Sequence, residues 1–220
     1  MKINAIITGA TGMVGEGVLH ECLLHPDVES VLVINRKPCE VAHEKLKEII
    51  HQDFFNLTPI EDQLAGYNAC FFCAGTSSVG MREDEFTRIT YDLTMNFAGV
   101  MVKKNPDMVF CYVSGEGTDS TEKGRIMWAR VKGKTENDLL KLPFKDAYMF
   151  RPGYIQPTKG LKNAKKFYKL FVPFYPILKI IMRGHVVSLE ELGKAMINVA
   201  LYGSDVKILE CRDIVQQSKR

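Results

Sequence analysis

Three glycines spaced G-x-x-G-x-x-G, Gly9, Gly12 and Gly15 in "TGATGMVG", can hold a phosphate. The first lets the chain turn sharply. The second keeps a Cβ out of the path of a pyrophosphate, and the third lets the next helix pack close to the sheet. The backbone N–H groups of Gly12, Met13, Val14 and Gly15 open that helix, with the positive end of its dipole behind them. Thr8 and Thr11 add hydroxyl donors on either side. The chemistry is capture of a dinucleotide's phosphate bridge. The alternative is a plain tight turn, and the strand–loop–helix setting of the glycines favours the ligand.

The residues after the next apolar run refine that expectation. A dinucleotide site for NAD usually places an acid here to accept from the ribose hydroxyls. This chain has Asn35, Arg36 and Lys37 and no acid. A carboxylate would repel a 2′-phosphate, whereas a guanidinium grips one through two parallel hydrogen bonds. NADP is therefore expected over NAD; the other reading is two solvated charges. Further on, Asp53 can accept from an adenine amino group, with Phe54 as its flat apolar neighbour. Cys73, Ala74, Gly75 and Thr76 offer a small-residue surface to the nicotinamide half.

These residues need strands that end where they stand. Short branched runs at 4–8, 30–35, 46–52, 68–74, 108–114, 147–152 and 207–210 predict strands. Helical spacing predicts helices over 13–24, 84–104, 125–141 and 188–202. The last opens on Ser188 with Glu191 three residues later, a capping box. Alternating strands and helices imply an α/β fold: a doubly wound parallel sheet, its ligands outside the carboxyl ends of the strands. With no repeat or linker, one domain over 1–220 is the simplest account.

The bulk numbers exclude several classes. The chain has 220 residues, 46% hydrophobic and 25% charged, with net charge +3, too little to argue for nucleic acid. No apolar window is long enough for a membrane span, and the start reads as a strand rather than a signal peptide. The six cysteines lie mostly in apolar runs and are expected as reduced thiols in a cytoplasmic protein. Cys70 and Cys73 form a C-x-x-C, but residues three apart on a strand face opposite ways, so redox or metal chemistry is not expected there. His20, His25, His43, His51 and His185 are too scattered for a metal set.

Together, TGATGMVG, Asp53-Phe54, Ala74-Gly75, "YVSGEG", "VKGKTE" and "FRPGYI" resemble the short-chain dehydrogenase/reductase superfamily, in its extended and atypical branches. The resemblance covers nearly the whole chain. It implies a Rossmann fold binding a nicotinamide dinucleotide. It places the family's serine at Ser114, its lysine at Lys132 and its Pro-Gly turn at Pro152. It also implies a small-molecule substrate, an alcohol or carbonyl. One departure matters: the family's acid is a tyrosine four residues before the lysine, and here Trp128 stands there. An indole N–H donates a hydrogen bond but does not titrate usefully. General acid–base catalysis supplies on the order of 10²–10⁴ in rate, so the departure leaves two readings: an oxidoreductase with a replacement acid, or a dinucleotide-binding sensor with little or no turnover. Candidate replacements are Tyr154, Tyr112 and Glu116.

Residues 159–185 combine clustered lysines with Phe167, Tyr168, Phe171, Phe174 and Tyr175. A small substrate-covering lobe over 155–187 is the first reading. A partner or homodimer surface comes second and membrane-surface contact third.

Overall fold

The structure, a computed structural model, describes residues 2–163 and 184–220. Seven strands form one parallel sheet: β1 (Ile3–Thr8), β2 (Val28–Asn35), β3 (Leu46–Ile50), β4 (Ala69–Phe72), β5 (Val109–Val113), β6 (Asp146–Arg151) and β9 (Ile208–Glu210). Their order is β3-β2-β1-β4-β5-β6-β9. The chain runs outward from β1 to β3, then crosses back to lay β4 on the other side of β1. That reversal opens a crevice between the ends of β1 and β4.

The central strands β1, β4 and β5 are mostly apolar runs because both faces are covered, whereas the edge strand β3 carries Lys47 and Glu48 and is largely exposed. Ile3, Ala5 and Ile7 point to one face, with α1 (Met13–Leu24), α5 (Leu189–Tyr202) and α6 (Cys211–Gln217). Ile6 points to the other, where Phe72, Phe97, Phe110 and Tyr112 pack with residues of α3 (Leu93–Lys104) and α4 (Met127–Leu139). Cys70 and Cys73 fall on opposite faces, as strand alternation expects, and every cysteine is a free thiol.

Helices α1 and α5 approach closely. A Cβ on Gly17 would come within 2.9 Å of the Leu189 side chain, and one on Gly193 within 2.6 Å of Glu21. The box at the start of α5 is formed: Ser188 Oγ accepts from the Glu191 amide at 3.0 Å, and the Glu191 carboxylate accepts from the Ser188 amide at 2.8 Å.

The structure corrects several element boundaries. The single helix expected over 84–104 is three pieces: α2 (Glu83–Thr87), a π-helical turn (Arg88–Asp92) and α3. A wider turn changes the face each later residue presents, which a 3.6-residue period does not anticipate. β3 runs only to Ile50; the His51 amide still donates to the Asn35 carbonyl at 2.8 Å, and its ring turns to the carbonyls of Asp53 and Asn56 at 2.7 and 2.8 Å. Two short strands, β7 (Tyr154–Gln156) and β8 (Val186–Ser188), pair in parallel as a separate small sheet. They stand at the two roots of the stretch expected as a lobe. The basic, aromatic part of that stretch, 164–183, lies outside the described residues.

Candidate functional site

A cleft of about 350 Å³ lies over the ends of β1 to β4. Its floor is the glycine loop. Gly9 has φ +76°, and a Cβ there would lie 2.7 Å from the Ala74 amide nitrogen, so only glycine lets the loop sit on the end of β4. A Cβ on Gly15 would collide with the Gly9 carbonyl, so the helix closes onto the loop itself. Gly12 differs: its Cβ would meet nothing nearer than 3.4 Å within the protein. It caps α1 in an extended conformation with no side chain bonded to the helix start. The first-turn amides, Met13, Val14 and Gly15 among them, are left for an anion. The side chains of Met13 and Val14 turn the other way, onto the core.

Thr11, Arg36, Asp53, Phe54, Cys73, Ala74, Gly75 and Thr76, all named from the sequence, line this cleft. Arg36 and Lys37 are exposed, and among the described residues no carboxylate pairs with either. They also line an adjoining hollow with Lys162, which reaches it from the far end of the chain. Lys162 and Asn163 are held there through their backbone amides, which donate to the Glu16 carboxylate at 2.7 and 2.8 Å. Sequence reasoning missed Lys162, because only the fold brings 162 beside 36. It also missed Gln52, Phe55, Ile89 and Leu93 of the cleft wall. Gln52 adjoins Asp53 and was within reach of a sequence reading; Ile89 and Leu93 depend on the π-helical turn.

One expected contact is corrected here, and another has a second duty. Thr8 is fully buried, and its hydroxyl accepts from the Ala74 amide at 3.3 Å, so it braces β4 beneath the loop and offers nothing to a phosphate. Asn35 is buried too. Its side-chain oxygen accepts from the Ala10 amide at 3.1 Å and its amide donates to Glu48 at 3.3 Å. It shapes the glycine loop from below and also lines the cleft.

The second half of the site lies at the ends of β5 and β6, beside α4. Trp128, Lys132 and Glu136 recur at four-residue spacing and so share one face of α4. The Lys132 ammonium donates to the Ser114 carbonyl at 2.5 Å, and removal from water pushes it down to about 8 against the pull of Glu136. The Ser114 hydroxyl does not face the cleft. It donates to the Glu136 carboxylate at 2.5 Å and lies 3.1 Å from the Phe150 carbonyl. Glu136 is fully buried and takes Arg151 in fork geometry, with contacts of 3.1, 3.1 and 2.5 Å. A buried carboxylate demands donors from every side, and Ser114 supplies one. This corrects the assignment of Ser114 as the group that orients a substrate oxygen.

The replacement acids separate clearly. Tyr112 is 2% exposed, and burial pushes its phenol up, so it is a core residue rather than an acid. Tyr154 is half-buried, its hydroxyl 3.3 Å from Gln156. Glu116 is exposed and bonded to His185. Pro152 is buried, and its carbonyl accepts from the Glu116 amide at 2.9 Å. Trp128 is half-buried, its indole near Gly117.

A family model for the NAD dependent epimerase/dehydratase family matches residues 5–125, from β1 through the turn after β5. The chain belongs to this family. Among curated relatives of this epimerase/dehydratase member is protein HTATIP2 of Rattus norvegicus, 24% identical over 98% of this chain and 89% of its own. Protein FMP52, mitochondrial, of Candida albicans is 26% identical over 74% of this chain and 73% of its own. Solved structures share the fold. ADP-L-glycero-D-manno-heptose-6-epimerase of Helicobacter pylori superposes with TM-score 0.66, at 16% identity, over 99% of this chain and 82% of its own. Gre2 of Candida albicans, solved in complex with NADPH, gives TM-score 0.69 at 14% identity, over 94% and 78%. The Candida albicans FMP52 relative is named mitochondrial, and no comparison assigns this chain a cytoplasmic home. Among the described residues, no helix is long and apolar enough to cross a membrane.

Proposed function

We propose that this epimerase/dehydratase-family protein binds NADP(H) and acts as an oxidoreductase on a small carbonyl or alcohol. The supporting observation is the exposed Arg36–Lys37 pair, with no carboxylate partner among the described residues, at the mouth of a cleft floored by the glycine loop. A 2′-phosphate brings the charge that these cations lack. The α1 amides would hold the pyrophosphate, Asp53 and Phe54 the adenine, and Cys73 to Thr76 the nicotinamide half. Lys132, fixed by Ser114, would hold the nicotinamide ribose, and Pro152 would close the far wall. When bound, the reduced nicotinamide supplies a hydride. NADPH and NADH titrations followed by fluorescence test the reading. NADPH should bind the more tightly. Arg36→Ala should weaken NADPH about 10–100-fold, the value of a lost charge-assisted contact, and leave NADH unchanged. Equal affinities in the wild type would refute the preference for NADP.

A second reading, a dinucleotide-binding sensor without turnover, is favoured by Trp128 and by the engagement of Ser114 with Glu136. Trp128→Tyr separates the two. A large gain in carbonyl reduction would show a pocket otherwise competent, and no turnover in either form would favour the sensor.

A further inference from the structure

We propose that His185, oriented by Glu116, is the proton-carrying residue of this site, in the role that Trp128 cannot fill; the proposal rests on the oxidoreductase reading. Glu116 lies in the turn Gly115–Gly117 directly after β5. Positive φ at both glycines, +151° and +84°, lets the chain double back there. Its amide is bonded to the Pro152 carbonyl, and the next residue, Gly117, faces the Trp128 indole at 3.6 Å from a would-be Cβ. Glu116 is thus placed between the indole and the Pro152–Gly153 turn, at the strand ends where Lys132 is tied to Ser114.

His185 comes to Glu116 from the other side. Its carbonyl accepts from the Tyr154 amide at 2.9 Å, which joins the roots of β7 and β8. Its Nδ1 is bonded to the Glu116 carboxylate. A Cβ on Gly153 would collide with both the Glu116 carboxylate and the His185 carbonyl, so a glycine is what lets the pair close. The His185 side chain is 56% exposed, and among the described residues Nε2 has no hydrogen-bond partner.

This is a His–carboxylate arrangement with one ring nitrogen anchored and the other open. A carboxylate on Nδ1 fixes the tautomer, stabilises the imidazolium and leaves Nε2 as the exchanging atom. In carbonyl reduction the Nε2–H bond breaks as the new O–H bond forms on the substrate oxygen. The electron pair of the N–H bond stays on the ring, which becomes neutral while Glu116 keeps its charge, and water restores the proton. Alcohol oxidation runs the same transfer backwards, from substrate hydroxyl to neutral Nε2. The hydride and its electron pair belong to the nicotinamide dinucleotide. The groups shown against His185 are the Glu116 carboxylate from the turn after β5 and the Tyr154 amide of β7, and Arg212 of α6 lies beside its neighbour Gly184.

Two measurements test the proposal. In the ligand-free protein, the His185 ring is followed by NMR across pH in wild type and Glu116→Gln. Loss of the carboxylate should move the neutral ring from the Nδ1–H tautomer toward the Nε2–H tautomer; an unmoved tautomer ratio overturns the pairing. Then His185→Gln is assayed for carbonyl reduction with NADPH, beside an NADPH titration. Turnover should fall about 100-fold, with loss of the limb of the pH profile that His185 supplies and NADPH affinity unchanged. Undiminished turnover with an unaltered profile overturns the proposal and leaves the oxidoreductase reading standing. A wild type that binds NADPH and reduces no carbonyl overturns both.

Discussion

The two ends of the cleft are built on different principles. At the β1–α1–β2 end the groups proposed to recognise ligand are backbone amides, and the sequence requirement is for side chains to be absent: Gly9, Gly12 and Gly15. At the β5–α4–β6 end the groups are side chains, and what each does depends on which neighbour it meets. Ser114 meets a buried carboxylate and turns inward. Lys132 meets a carbonyl. A backbone site is therefore written in spacing, whereas a side-chain site is written in tertiary contacts. The comparison also separates their vulnerabilities: changes at the first end should cost ligand, and changes at the second should cost fold or proton chemistry.

The largest effect is expected at the side-chain end. Arg151→Met removes the principal cation from fully buried Glu136, and unpairing a buried charge costs roughly 3–5 kcal/mol. Urea denaturation should show that loss; a change below about 1 kcal/mol would mean Glu136 is satisfied by other donors. The next tests the backbone end. Gly12→Ala meets only an ordinary contact within the protein, so the melting temperature should hold while NADPH binding falls about 100-fold or more, because the methyl lies where the pyrophosphate must approach. If stability falls and binding survives, the two ends do not differ as described. The smallest concerns Lys132. Its folded-state value of about 8 lies below the ordinary 10.5. Between those limits the unfolded chain holds a proton that the folded protein has released, so this group makes stability rise with pH across that window. Wild type should gain on Lys132→Met by on the order of 1–3 kcal/mol from pH 8 to 10.5. A constant difference would place the ammonium in water.

The same contrast explains what was legible beforehand. Continuous apolar runs such as "NAIIT" announce strands buried on both faces, and the sheet's seven strands were foreseen to within a few residues. The capping box at Ser188 was legible because it is local in sequence. β7 and β8 were missed because each is three residues long and exists only through the other, across some thirty intervening positions. At the site, the cleft-lining residues after β1 to β4 could be named because strand ends converge in this topology. Thr8 was given the wrong duty because spacing does not say whether a polar group ends above the loop or below it. His185 looked isolated in the sequence, and Gly153 is what brings it to Glu116.

The glycines between α1 and α5 carry a consequence for the opposite end of the molecule. A dozen-residue helix is a stiff rod of about 18 Å, and its bearing surface is Gly17 against Leu189 and Gly193 against Glu21. Shimming that bearing by a single methyl must displace either the rod or its seat, whereas anion-holding amides tolerate about 0.5 Å. The aim of the amides proposed to cradle phosphate near residue 12 is thus calibrated by a helix that begins at residue 189, and a substitution well away from that loop can detune it.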